Sequence, residues 1–147
     1  MIRRFGDPPD PRQKYTRRIG VYALLPLGDQ VLLTCQTDPL PDLQLPGGGV
    51  DPGESPLAAL HREVREETGW RIANPHRVGA FRRFVYMPEY DLWADKICLI
   101  FRARPIFCIG PPTEDLHHPV WMPLNLAADA LGNSGDRHFA KLEAKRR

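Results

Sequence analysis

The segment Gly48 to Trp70, GGVDPGESPLAALHREVREETGW, constrains the fold most, because it sets a glycine turn directly before a helix that carries three carboxylates toward one side. Pro52-Gly53 is a turn signal, Ser55 suits a helix N-cap, Pro56 suits the first helical position and Gly69 suits the C-terminal stop. These signals predict a helix over Pro56 to Thr68. At about 3.6 residues per turn, Glu63, Glu66 and Glu67 fall within about 100° of one another, and Leu57, Leu60 and Val64 form the adjacent apolar stripe. One face packs and the next is acidic.

Three carboxylates this close repel one another unless a cation sits among them. Hard divalent ions such as Mg²⁺ favour carboxylate oxygens and bind through a few of them together with the phosphates of a substrate. A solvated acidic face is the ordinary reading of a Glu-Glu pair on a helix, but the surrounding spacing argues against it. Gly48, five residues, Glu54, seven residues, Arg62-Glu63, two residues, Glu66-Glu67, one residue and Gly69 make seven fixed identities. With each residue type at roughly 5 to 7 per cent, chance agreement at all seven is on the order of 10⁻⁸ to 10⁻⁹ per register. Arg62 is either a surface arginine or a planar fork that holds a neighbouring carboxylate, and its place before Glu63 favours the fork. The glycines of Pro46-Gly47-Gly48-Gly49 either end a strand or let main chain approach a ligand closely.

This pattern resembles the signature of the Nudix hydrolases. Every charged and glycine position is present, and Trp70 stands where the family more often has an aliphatic residue. The resemblance implies an α/β fold, an α/β/α sandwich around a mixed sheet. It implies Mg²⁺- or Mn²⁺-dependent hydrolysis of the diphosphate linkage in a nucleoside diphosphate derivative of the nucleotide sugar, ADP-ribose or dinucleoside polyphosphate type. Carried onto this chain, it makes Glu63, Glu66 and Glu67 metal ligands, with the carbonyl of Gly47 a further ligand. Arg62 then orients the glutamates, and Glu54 braces loop and helix or binds metal through water. The base that takes a proton from the attacking water is a helix glutamate in some members, which here means Glu66 or Glu67. In others it lies in the loop before a late strand, which here reads PPTEDLHHPVWMPL and offers Glu114, Asp115, His117 and His118. Two alternatives stand beside this reading: a sensor that binds nucleotides without cleaving them, and a hydrolase acting on the 5′-polyphosphate end of RNA.

Outside the segment the sequence is less specific. A chain of 147 residues with a formal charge of +2 and 42% hydrophobic content suits one soluble globular domain. Residues 1–16, rich in proline, read as an irregular arm, and residues 17–147 as a single domain. Basic residues cluster at both ends, from Arg3 to Arg18 and from Lys141 to Arg147, where solvated tails are expected and RNA contact is the alternative. Cys35, Cys98 and Cys108 lack any paired spacing, which suggests reduced thiols and a cytoplasmic monomer or homodimer. No apolar run suits a membrane span or a signal peptide. Strands are expected over Arg18 to Leu25, Gln30 to Gln36, Leu43 to Leu45, Val78 to Met87, Lys96 to Arg104 and Val120 to Met122. Helices are expected over Leu124 to Leu131 and from about Asp136.

The residues that read the rest of a nucleotide substrate are hard to isolate. Phe81, Phe84, Tyr86, Tyr90 and Trp93 either stack a base or belong to the core. Arg82 and Arg83 are phosphate candidates, but neighbouring strand residues face opposite sides, so at most one reaches the site. Arg82, Tyr86 and Glu114 are the substrate-contact candidates chosen. Subgroup resemblances conflict: Tyr86 stands near a tyrosine of dinucleoside polyphosphate hydrolases, and Pro88 near a proline of ADP-ribose hydrolases.

Overall fold

Alternation of side chains along one long strand, β2 (Thr16–Leu27), builds two cores at once. Val21, Ala23 and Leu25 point to one face and Leu24 to the other, and all four are buried. The computed structural model describes residues 2–38 and 40–146. It shows a mixed sheet with one helix on one face and two on the other, the expected α/β sandwich.

The order of elements is β1 (Arg3–Arg4), β2, β3 (Gln30–Gln36), β4 (Asp42–Gln44), β5 (Gly47–Gly49), α1 (Pro56–Thr68), β6 (Trp70–Met87), β7 (Leu92–Cys108), β8 (His117–Pro123), α2 (Leu124–Ala130) and α3 (Ser134–Lys145). The central path runs β1-β6-β7-β2-β3-β4, with β5 paired to β2 and β8 paired to β3. β2 lies parallel to β7 from Thr16↔Ala94 to Leu24↔Arg102 and antiparallel to β5 from Gly20↔Gly49 to Tyr22↔Gly47. Its end turns through Gly28-Asp29 into β3, as the PLGD sequence predicts.

α1 begins and ends where its capping residues predict. The Ser55 hydroxyl accepts from the Ala58 N–H at 3.1 Å, and Gly69, at φ 77°, donates to the Arg65 carbonyl at 2.8 Å. Its buried stripe differs from the predicted one. Leu60 and Val64 are buried as expected, but Leu57 is exposed, and Ala59, Glu67 and Thr68 are buried as well. The apolar face is thus turned toward Glu67, which brings a carboxylate to the edge of the core. Ala59, Leu60 and Val64 pack with Val21, Ala23, Leu25, Leu32, Ile72 and Phe101. On the opposite face Leu24, Phe81 and Ile100 pack with Leu124, Leu131 and Phe139 of the last two helices and the turn between them.

Two expectations change. β6 and β7 are much longer than predicted, because they form one antiparallel ribbon from Trp70↔Cys108 to Met87↔Leu92 whose bulges let the chain continue past breaks in the apolar pattern. The expected irregular arm contains β1, where Arg3 and Arg4 pair in parallel with Phe81 and Arg82, and Thr16 already belongs to β2. No helix among the described residues is long and apolar enough to cross a membrane.

Leu60 has no exposed surface and sits between α1 and the sheet. Leu60→Ala is expected to cost about 2–5 kcal/mol, the range for buried leucines in well-packed cores. Urea unfolding of the two proteins checks this, with a lowered midpoint at unchanged slope as the expected result.

Candidate active site

Arg62 organises the acidic face. Its Nε and Nη2 donate to the two oxygens of Glu54 at 2.7 and 2.9 Å, its Nη1 donates to Glu63 at 3.0 Å and to Glu66 at 3.2 Å, and its Nη2 also donates to the Gly49 carbonyl at 3.1 Å. Asp51 adds an ion pair at 3.5 Å. The planar guanidinium can direct its donors to several acceptors at once, which a lysine ammonium cannot reproduce in this geometry. Glu54 also accepts the Asp51 N–H at 3.0 Å. The Arg62 bonds first, and this N–H second, hold the Glu54 carboxyl down at about 2. The fork reading of Arg62 and the bracing reading of Glu54 describe these contacts.

The glycine turn packs directly on the carboxylates. A side chain at Gly48 would begin 2.6 Å from the Glu63 carboxyl carbon, and one at Gly47 would begin 2.0 Å from the Val21 carbonyl. Gly47 therefore has no room for a Cβ, and one at Gly48 would displace the Glu63 carboxylate. The Gly47 N–H donates to Glu67 at 2.9 Å. Glu67 is only 5% exposed, and its pKa stands well above the usual glutamate value. Burial is the main cause, opposed by the Gly47 N–H and reinforced by the nearby charges of Glu63, Glu114 and Glu66. Burial also raises Glu63, although Arg62 opposes it.

The loop before β8 reaches the same place, because the N–H groups of Thr113 and Glu114 both donate to the Glu66 carbonyl, at 2.8 and 3.0 Å. Glu114 and His117 consequently line the cleft, whereas Asp115 and His118 do not. His117 Nε2 lies 3.6 Å from Glu67, and its Nδ1 shares a hydrogen bond with buried Thr34 at 3.0 Å. Burial lowers the His117 pKa against the opposing charge of Glu114.

The hard oxygen donors of Glu63, Glu66 and Glu67 are of the kind that suits a divalent cation such as Mg²⁺. They do not form a ready-made cage: among the described residues no three His, Cys, Asp or Glu side chains are grouped closely enough to hold a metal. Arg62 takes up Glu63 and Glu66, and Gly47 takes up Glu67. Sparse protein ligation of this kind is compatible with Mg²⁺, which commonly keeps several waters and binds through one or two carboxylates and substrate phosphates.

A cleft of about 580 Å³ opens beside these groups. Gly47, Gly48, Glu63, Glu67 and Glu114 line it, as do Arg18, Tyr22, Arg83, Tyr86, Tyr90 and Lys96, together with the carboxylates of Asp38, Asp42, Glu89 and Asp136. Arg82 corrects the earlier choice. Strand alternation turns it away from the cleft, where it makes a two-pronged bond to Asp95 at 2.8 and 2.8 Å, and Arg83 takes the cleft position. Tyr86 does line the cleft, with its hydroxyl bonded to Asp91. Phe81 lines it too but is 1% exposed within the core, while Phe84 and Trp93 pack around Tyr15. Arg18, Lys96, Asn133 and Asp136 are cleft residues missed in the sequence, because their distance along the chain hides their proximity. The predicted reduced cysteines are free, with Cys98 buried and Cys108 exposed.

A mixed sheet between helices, with a glycine turn packed onto an acidic helix, is the arrangement implied by the sequence pattern. The NUDIX domain family model matches residues 14–142, and the chain belongs to that family. It is 41% identical over 68 residues to a Bacillus subtilis protein named as an 8-oxo-dGTP diphosphatase, a match covering 46% of this chain and 45% of that protein. It is 40% identical over 86 residues to an RNA pyrophosphohydrolase of Halorhodospira halophila, covering 58% of this chain and 40% of the other. The chain therefore spans less than half the length of these curated relatives. Among solved structures, the Escherichia coli ORF135 protein superposes with a TM-score of 0.66 at 22% identity, covering 90% of this chain and 92% of that one. A NUDIX hydrolase from Nitrosomonas europaea gives a TM-score of 0.65 at 20% identity, covering 78% of each chain. Those two likenesses concern the fold.

Arg62→Ala leaves Glu54, Glu63 and Glu66 without their shared cation and is expected to destabilise the metal-free protein by about 1–3 kcal/mol, read as a lower urea midpoint. A second expectation concerns Asp136, a buried carboxyl raised from 3.8 to about 6, mainly by burial. The folded state holds this proton more tightly than the unfolded state, so its contribution to stability is present below the unfolded value and lost as pH rises through about 6. The loss is on the order of 3 kcal/mol. Asp136→Asn should remove that part of the pH slope, as measured by thermal midpoints across this range.

Proposed function

We propose that this protein is a divalent-metal-dependent pyrophosphohydrolase that cleaves the diphosphate linkage of a nucleoside diphosphate derivative. Glu63 and Glu67, packed on the Gly47-Gly48 turn at the wall of a cleft of nucleotide size, with Glu66 held beside them by the Arg62 fork, carry this reading. Membership of the NUDIX family and the printed names of its diphosphatase and pyrophosphohydrolase relatives support it.

A diphosphate resists hydrolysis because its own oxygens repel an incoming hydroxide, so charge must be neutralised and a water placed in line with phosphorus. Glu63, Glu66 and Glu67, with the Gly47 carbonyl, would hold the Mg²⁺ or Mn²⁺ ion. When bound, the metal supplies charge neutralisation and a more acidic water. Arg62 and Glu54 keep the helix carboxylates against the turn, so their positions do not have to be created when substrate arrives. Glu67 is our choice for the base. Its carboxylate lies at the cleft wall, with one oxygen accepting the Gly47 N–H and the other 3.6 Å from His117. Glu114 lines the same cleft and is the alternative.

Incubation with Mg²⁺ or Mn²⁺ and a panel of ADP-ribose, diadenosine polyphosphates, nucleoside triphosphates, nucleotide sugars and capped RNA tests the reading through the products formed. Glu67→Gln is expected to lower turnover by at least ~10²-fold, and a chelator to abolish it. Turnover indifferent to both would sink the assignment. RNA as the preferred substrate would show itself by affinity that falls steeply with salt.

A further inference from the structure

In the same cleft, strand register places three cations in one line. Arg18 on β2 is directly opposite Lys96 on β7, and Lys96 is directly opposite Arg83 on β6. All three side chains line the cleft. With neighbouring strands about 4.8 Å apart, the row reaches roughly 10 Å across the sheet. Like charges facing each other across strands are destabilising, and no ion pair within 4.0 Å compensates them among the described residues. The Arg18 guanidinium lies 4.5 Å from the ring centre of Tyr90, and the Lys96 ammonium lies 5.5 Å from that of Tyr22. Neither aromatic ring neutralises a charge. The facing carboxylate is Asp136, which is buried, accepts the Leu45 N–H at 3.3 Å and feels the opposite charges of Arg83 and Lys96 without forming a close ion pair with either.

We infer that the Arg18-Lys96-Arg83 row is a second phosphate site, which selects substrates carrying a phosphate beyond the diphosphate cleaved at the glutamates. This rests on the hydrolase reading for its role in catalysis, but not for its ability to bind phosphate. Position favours a single ligand spanning the glutamates and the row. Arg18 lies two residues along β2 from Gly20, and Gly20 is paired with Gly49, next to the Gly48 that packs on Glu63. The separation from Arg18 to Gly20 is about 7 Å along the strand, within reach of a nucleotide derivative. Anionic oxygens at the row would relieve a repulsion that Asp136 offsets only in part, and three charged donors would bind them more strongly than neutral ones. A neutral sugar or an unphosphorylated base would leave that repulsion in place.

Two measurements on the intact chain test this. In chelator, inorganic tripolyphosphate should bind, and Arg83→Gln and Lys96→Gln should each weaken it by at least ~10-fold. The unliganded thermal midpoint of these variants should not fall, since each removes a like-charge contact. With metal present, ADP-ribose carrying a phosphate on its terminal ribose should have a higher kcat/KM than ADP-ribose, and Arg83→Gln should shrink that preference by at least ~10-fold. Absent or variant-insensitive tripolyphosphate binding, a lowered midpoint in both variants, or no preference between the two substrates would overturn the site, even with hydrolysis intact. Variant-sensitive binding without hydrolysis of any substrate would support the site and defeat the hydrolase reading alone.

Discussion

The contact on which the rest of the site depends is the fork of Arg62. One guanidinium joins Glu54 in the loop before α1, Glu63 and Glu66 on that helix, and the Gly49 carbonyl of the preceding turn. Without it, the turn and the helix would be joined by short chain connections and would carry several carboxylates in mutual repulsion. With it, the same charges become a reason for loop and helix to stay together. The glycines complete the arrangement from the other side, since only a residue without a side chain lets the turn lie against Glu63 and the backbone of β2. Fold and site are therefore not separable here: the contacts that tie β5 to α1 are those that aim the glutamates.

How much of this could be read in the sequence follows from the distance over which each feature is encoded. The limits of α1 are local, written in Ser55, Pro56 and Gly69, and they stand where those residues predict. The Arg62 contacts to Glu63 and Glu66 lie within one helical turn and are likewise legible. The lengths of β6 and β7 were not, because Trp70 to Ala73 and Pro105 to Cys108 become strand by pairing with each other rather than through their own pattern. Arg82 and Arg83 mark the boundary between the two cases. Alternation says that only one enters the cleft, but which one depends on the face of the sheet occupied by α3, and that is a tertiary fact. The cation row is less visible still, since Arg18, Arg83 and Lys96 are neighbours only through the register of three strands.

Burial of Glu67 shows how packing gives chemical character to a residue that periodicity can only place on a face. The apolar stripe of α1 is rotated so that Ala59, rather than Leu57, faces the sheet, and Glu67 follows it into the core edge. The cost is partial desolvation of a carboxylate. One backbone N–H from Gly47 offsets part of that cost and leaves the group more basic than it would be in water. Moving the same glutamate to the outer face would preserve the sequence motif and lose this property.

The cleft brings the Arg18-Lys96-Arg83 row onto the same surface as Glu63, Glu67 and Glu114, with Asp136 facing the row. If their purpose were stability alone, pairing the two sets would serve better, as Arg82 does with Asp95 on the opposite face and Arg102 does with Glu143. The sheet can form close pairs and does so where the cleft is not involved. Arg62 takes up part of the acidic charge and Asp136 faces the row, so what each set still lacks is a further close partner: the carboxylates a divalent cation, the row an anion. A phosphorylated nucleotide accompanied by a divalent cation meets both demands together, and neither component does so alone. This makes the strained distribution of charge a selective feature, because its relief requires a ligand long enough to reach both sets and charged at both.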